Sequence, residues 1–277
     1  MLKVGCHQSI AGGYRAMAQE AKELGATTLS YFSRNPRGGG VRALDLKDMQ
    51  AFHFLGQEMG LFPIVAHAPY TYNLASDKTH VRSFALSSMK EDLQRMDHIP
   101  GNYYNFHPGS HVGQGVEKGI ELIVSALNDL LKTDYQTIIL LEAMAGKGSE
   151  IGRSFEELQS ILQGLDHPQR VGVLLDTCHL YDAGYDIKED LQDVLQDFDK
   201  TVGLNKLKAM HINDSKNPFA SHKDRHEKLG LGSLGIETFK NIVKHSYLST
   251  LPLILETPQD FEGYKQEIQL LGQLAFS

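Results

Sequence analysis

A (β/α)8 barrel is the fold that this chain of 277 residues predicts. Three observations lead there. Eight short apolar, β-prone runs recur along the whole chain. Helix-like segments separate them. Seven of the eight runs carry a histidine or a carboxylate at their last position or the one before it. A doubly wound open sheet would share the alternation of strands and helices. A barrel brings every strand end to one face, where catalytic groups sit.

The runs, in order, are "LKVGCH" (2–7), "TTLSYF" (27–32), "FPIVAH" (62–67), "NYYNFH" (102–107), "TIILLEA" (137–143), "VGVLLD" (171–176), "LKAMHI" (207–212) and "LPLILE" (251–256). Near-continuous apolar runs are expected of strands buried on both faces of a parallel sheet. Between them, "YRAMAQEAKELG" (14–25), "DLKDMQAFHFLGQEMG" (45–60), "VEKGIELIVSALNDLLK" (116–132) and "SFEELQSILQGL" (154–165) read as helices. The last opens on Ser154 with Glu157 three residues on, a capping-box pattern. The length suits one barrel, so residues 1–277 read as a single domain.

Bulk composition narrows the class. Hydrophobic residues make up 41% and charged residues 22%, as in a soluble protein with a sizeable core. No apolar run is long enough to span a membrane. The start, "MLKVGCHQSIAGG", lacks a secretory pattern. Cys6 and Cys178 are the only cysteines, so a reduced, cytoplasmic setting without a disulfide is expected. Nothing implies a protein partner, and a monomer is the expected state. The net charge of −7 argues against a polyanionic partner, unless bound cations change it. Histidine is abundant, at 13 residues.

The strand ends carry the chemistry: His7, His67, His107, Glu142, Asp176, His211 and Glu256. A lone strand-terminal histidine is more often a satisfied polar group than a ligand. The same holds for each motif taken singly. In "LLDTCHLYDAGYD", Asp176 and His179 can face one cavity if a helix begins there; the plain alternative is an N-cap with a surface histidine. In "NFHPGSH", His111 reads as solvated. Glu142 in "LLEAMAGKGSE" and Glu256 in "LILETP" need partners, because burying an unpaired carboxylate is costly. In "SHKDRHEKLGLGSLG", an extended Asp224–His226 pair would point to one side and leave Arg225 facing away.

Together these motifs offer five histidines (67, 107, 179, 211, 226) and four carboxylates (142, 176, 224, 256). That is too many donors for one ion. With one bridging carboxylate they suit three, and imidazole favours zinc or another first-row metal. Clustered ions are a device for phosphoester chemistry. Three divalent ions would also bring the chain close to neutrality. Arg34, Arg37, Lys147, Lys216, Lys223, Arg225 and Lys228 fall in loops after the second, fifth and seventh runs. There they could rim the same face and hold phosphates, Lys216 and Arg225 being the candidates for DNA contact.

"NFHPGSH", "DTCHLYDAGYD", "HINDSKNPFASHKDRHEKLGLGSLG" and "LILETP" resemble the motifs of the endonuclease IV family of apurinic/apyrimidinic endonucleases. The resemblance runs from "GCHQSIAGG" to the last strand. It implies a barrel of the xylose-isomerase-like superfamily that carries three zinc ions. His67, His107 and Glu142 would hold the first. Glu142 would bridge to a second, with Asp176, His211 and Glu256; His179, Asp224 and His226 would hold the third. Glu142 and Glu256 are the candidate catalytic residues. The implied reaction is hydrolysis of damaged double-stranded DNA on the 5′ side of an abasic site. It leaves a 3′-hydroxyl and a 5′-deoxyribose phosphate, and blocked 3′ ends are also trimmed. Arg37 and Tyr70 match positions that enter the duplex.

The chain also departs from the family pattern. It has no tryptophan, and Gly38–Gly40 stand where one often follows the arginine. Thr71 replaces a bulkier apolar wedge, and "EAMAGKG" replaces the usual Asn-Thr after the glutamate. Flipping a nucleotide costs a few kcal/mol, so a weaker wedge implies less duplex distortion. Two other functions compete. A metal-dependent sugar isomerase or epimerase of the same superfamily would need only one or two ions. A non-catalytic nucleic-acid-binding barrel would have little reason to keep the full donor set.

Overall fold

Eight parallel strands close into a barrel in the order β1-β10-β7-β6-β5-β4-β3-β2. The computed structural model describes residues 2–37 and 40–277. The barrel strands are β1 (Lys3–Gln8), β2 (Ser30–Phe32), β3 (Ile64–His67), β4 (Asn102–Phe106), β5 (Ile138–Glu142), β6 (Val171–Asp176), β7 (Leu207–Ile212) and β10 (Pro252–Leu255). A short antiparallel pair, β8 (Asp214–Ser215) with β9 (His226–Glu227), stands at the mouth. The helices are α1 (Tyr14–Leu24), α2 (Leu46–Glu58), α3 (Thr79–Met96), α4 (Val116–Leu131), α5 (Phe155–Gln163), α6 (Thr177–Ala183), α7 (Leu191–Thr201), α8 (Ile236–Lys244) and α9 (Phe261–Phe276).

The second run is shorter than the sequence predicts. Thr27 bends away because its Oγ1 accepts from Val4 N at 2.9 Å and donates to Leu2 O at 2.9 Å. Only Ser30–Phe32 remains as strand. Two strands stop one residue before their polar tips. His107 precedes Pro108, which has no N–H for a ladder. Glu256 N donates instead to Asn213 Oδ1 at 2.9 Å. The expected helix start at Ser154 is present: its side chain accepts from Glu157 N, and Glu157 reaches back to Gly152 N and Arg153 N.

Side chains alternate across a strand, and the barrel uses that parity. Val65, Leu140, Leu174, Ala209 and Ile254 form a buried interior cluster, with Tyr103 and Ile138 packed against it. Two residues further along the same strands lie His67, Asn105, Glu142, Asp176, His211 and Glu256. An apolar plug thus supports a polar layer at the C-terminal mouth, the layered filling expected of such barrels. Among the described residues, no helix is long and apolar enough to cross a membrane.

Arg34 is not the rim cation that its loop position suggests. It is buried, with Nε 2.7 Å from Asp92 Oδ1 and Nη2 2.6 Å from Glu91 Oε2. Asp92, on α3, also accepts from Ser33 Oγ at 2.8 Å and Tyr104 OH at 2.9 Å. A buried ion pair satisfied on all sides locks the loop after β2 to α3. Asp92→Ala breaks the buried half of this pairing, leaves the Ser33 and Tyr104 hydroxyls without their acceptor, and is expected to destabilise the fold by about 3–5 kcal/mol in urea unfolding followed by circular dichroism. A loss below about 1 kcal/mol would show that water takes over the role of Asp92.

Candidate metal centre

The polar layer converges on Glu142. Its Oε2 lies 3.2 Å from His67 Nε2 and 3.4 Å from His107 Nε2, and its Oε1 lies 3.2 Å from His211 Nδ1 and 3.4 Å from His179 Nδ1. Asn105 donates to Oε2 at 2.5 Å. His211 Nδ1 also lies 3.3 Å from Glu256 Oε2 and 3.7 Å from Asp176 Oδ2. On the other flank, Asp224 Oδ1 lies 3.3 Å from His179 Nε2 and 3.4 Å from His226 Nε2. All nine donors named from the sequence therefore meet in one cluster.

Donor atoms close enough to share an ion fall into overlapping groups: His67, His107 and Glu142; Glu142, Asp176 and His211; Asp176, His179 and His226; and Cys178, Asp224 and His226. The first matches the set expected for a first ion. The second lacks only Glu256. In the third, Asp176 stands beside His179 and His226, and Asp224 completes the set through its own contacts with both imidazoles. Cys178 is a neighbour of the site that the sequence does not announce. It is a buried free thiol, and burial together with Asp176 and Asp182 pushes its pKa upward.

Local structure explains why these side chains point inward. Asp176 ends β6 and caps α6, accepting from Cys178 N at 2.7 Å and His179 N at 3.0 Å. It is therefore both an N-cap and part of the cluster, and His179 is buried rather than on the surface. Three imidazoles are oriented by backbone carbonyls: His67 Nδ1 to Ala68 O at 2.6 Å, His179 Nδ1 to Ala143 O at 2.9 Å and His226 Nδ1 to Glu256 O at 3.2 Å. A carbonyl only accepts, so each Nδ1 carries hydrogen and each neutral ring keeps its Nε2 lone pair for the centre. Asn213 donates to Asp176 Oδ2 at 2.7 Å.

The Asp224–His226 pair does not sit in an extended segment as its spacing suggests. Asp224 is left-handed, with φ 57°, and β9 begins only at His226. The two converge because the chain folds back. The glycine run beyond them wraps one carboxylate. Asp214 accepts from Leu234 N on Oδ1 and from Gly230, Gly232 and Gly235 N on Oδ2, all within 3.2 Å. A Cβ on Gly232 would lie 2.4 Å from Asp214 Oδ1, so only glycine fits.

The electrostatics favour positive charge here. Burial opposes protonation of His211, but Glu256 and Glu142 outweigh it and raise its pKa to about 9. At His226 burial again opposes, while Asp176 and Asp224 raise the pKa to about 9. Glu142 and Glu256 are held well below the usual carboxylate range: burial pushes them up, and the facing imidazoles win. His226 Nε2 is a buried nitrogen with no hydrogen-bond partner, and it faces Asp224 and Asp176. A nitrogen left without a hydrogen-bond partner between two carboxylates suits a cation once its own proton has left. A mixed imidazole and carboxylate set suits zinc.

Residues 18–274 match the family model described as a xylose isomerase-like TIM barrel. A protein of Alkaliphilus oremlandii named "Probable endonuclease 4" is 53% identical over 99% of this chain and 97% of its own length. The chain belongs to the endonuclease IV family. The crystal structure of endonuclease IV from Thermus thermophilus superposes with a TM-score of 0.88 at 33% identity, covering 98% of each chain. A D-psicose 3-epimerase from Clostridium cellulolyticum H10 gives 0.70 at 14% identity, over 99% of this chain and 98% of that one. That second likeness shows the fold alone.

In this endonuclease IV family member, the four expected DNA-contacting residues are exposed. Tyr70 projects beyond the mouth, its ring edge-on to Phe32 at 5.1 Å. Arg37 lies on the loop after β2, and Gly38 and Gly39, read as replacing a tryptophan, lie outside the described residues. Lys216 approaches Glu227 at 3.9 Å, and Arg225 Nη1 donates to Asp224 O at 2.8 Å. Sequence reasoning named His7 as a strand end but left it out of the donor set, and did not single out Asn105. Asn105 shares the inward parity of Tyr103 and His107, a signal present in the sequence. His7 Nδ1 lies 3.1 Å from Glu256 Oε1.

A divalent ion must displace the protons that the carboxylates hold on His211 and His226. Affinity for zinc is therefore expected to rise as pH increases toward about 9, with protons released on binding. Calorimetry in buffers of different ionisation enthalpy reads that release directly. Binding without proton release between pH 6 and 8 would contradict the assignment of these imidazoles.

Proposed function

We propose that the chain is a zinc-dependent DNA-repair endonuclease. It hydrolyses the phosphodiester bond 5′ to an abasic site, leaves a 3′-hydroxyl and a 5′-deoxyribose phosphate, and also trims blocked 3′ ends. One observation carries this reading: the nine donors named from the sequence form a continuous cluster around Glu142 at the mouth of the barrel. Kinship with proteins named endonuclease 4 supports the choice of substrate.

In this reading His67, His107 and Glu142 hold a first zinc ion. Glu142, Asp176, His211 and Glu256 hold a second, and His179, Asp224 and His226 a third. When bound, such a cluster lowers the pKa of water, orients the phosphate and neutralises the departing oxygen. The chain does the positioning. Asn105 and Asn213 hold the Glu142 and Asp176 carboxylates so that their remaining lone pairs face the centre. Ala68, Ala143 and Glu256 carbonyls fix three imidazoles. Tyr70 and Arg37 stand where they would meet the duplex at the lesion, and Lys216 and Arg225 would hold backbone phosphates. A sugar epimerase on the same barrel would have no use for the separate His179–Asp224–His226 group.

The zinc-loaded protein is expected to cut a labelled duplex once, 5′ to a single abasic site, and to spare undamaged duplex. Chelation abolishes the cut and zinc restores it. No cut with zinc bound would sink the reading and turn attention to 3′-blocked ends, then to small sugars. Lys216→Ala and Arg225→Ala are each expected to weaken duplex binding and lower the salt slope by about one. Unchanged slopes in a fluorescence-anisotropy titration would remove these two residues from the DNA interface.

A further inference from the structure

The segment from Lys216 to Arg225 joins β8 to β9 and delivers Asp224 to the cluster. It is a strained strap. Ala220, His222 and Asp224 all take left-handed backbone, with φ 56°, 54° and 57°. Left-handed backbone is strained for any residue with a Cβ, so the surroundings must over-determine the conformation.

Those surroundings are the last turn of α6. Ala220 N donates to Tyr181 O at 3.1 Å, and His222 N to Asp182 O at 3.0 Å. The Asp182 side chain then takes both ends of the strap. Oδ1 accepts from Ser215 Oγ at 2.7 Å. Oδ2 accepts from Asn217 Nδ2 at 3.0 Å and from Asp224 N at 2.9 Å. Asp182 is fully buried, and it sits near the C-terminal end of a helix, where negative charge is disfavoured. A carboxylate persists in such a place only where its hydrogen bonds do something an apolar residue could not.

We propose that Asp182 is a positioning residue that ties Asp224 to α6, the helix that Asp176 caps and whose first turn carries His179, and so sets the geometry of the third ion. The proposal rests on the three-zinc reading above. α6 then acts as a rigid bar: one end presents Asp176 and His179, and the other holds the strap that brings Asp224 to 3.3 Å from His179 Nε2. Asparagine at 182 preserves the pattern. Its Oδ1 accepts from Asn217 and Asp224, while its Nδ2 donates to Ser215 Oγ. Alanine leaves those donors buried and unmet.

The test uses the full chain as Asp182→Ala, Asp182→Asn and Asn217→Ala. In zinc competition against a chromophoric chelator, Asp182→Ala is expected to bind one of three ions about 10–100-fold more weakly. The other two ions keep their affinity, and Asp182→Asn recovers most of the loss. In the metal-free protein, amide exchange over 216–225 rises in Asp182→Ala. Wild-type affinity for all ions together with wild-type exchange would overturn the proposal, as would equal weakening of all three ions. If Asp182→Ala does not fold, Asn217→Ala decides by the same two readouts. A wild-type protein that binds no third ion would defeat the endonuclease reading, while exchange over 216–225 would still decide whether Asp182 fixes the strap.

Discussion

Four carboxylates meet where the strands of this barrel end, and their mutual repulsion is the constraint that organises the molecule. His211 faces Glu142, Asp176 and Glu256 together, and His179 and His226 join Asp224 to Glu142 and Asp176. Charges desolvated this close are tolerable only when opposite charge and fixed donors hold them. Five histidines and the amides of Asn105 and Asn213 supply part of that holding. The raised imidazole pKa values at His211 and His226 are the other face of the same field. Such a surrounding selects cations.

The barrel makes this arrangement possible by separating jobs along each strand. Val65, Leu140, Leu174, Ala209 and Ile254 fill the interior without polar side-chain atoms. One pleat later the same strands carry the cluster. A slip of one residue in any ladder would exchange inward for outward side chains and remove a ligand from the centre. The pairing Asp176↔His211 at the end of β6 and β7 shows how register sets the site directly. The loops then add what strands cannot. α6 contributes His179, and the strap contributes Asp224 through backbone that no strand could adopt.

Much of this was legible in the sequence where local and global demands coincide. "VGVLLD" and "LKAMHI" match their strands residue for residue, because each is a largely apolar run with a polar inward residue at its end, Asp176, or next to it, His211. The nine donors were legible because they are strand tips or lie in motifs just beyond them. What escaped was long-range. Arg34 finds Asp92 58 residues away, so a loop cation proved to be a buried strut. Asp224 looked extended, but its N–H donates to Asp182, 42 residues upstream. Asp182 itself stood in a quoted motif without any signal separating it from a solvated helix carboxylate. Partners this distant are set by packing rather than by periodicity.

In the proposed function, three zinc ions complete this charge balance. Anomalous diffraction measured on both sides of the zinc absorption edge, from crystals of the purified protein, tests it most directly. Three peaks are expected: beside His67 and His107, between Glu142 and Asp176, and between His179 and His226. One peak, two peaks or none in a zinc-replete crystal would contradict the account.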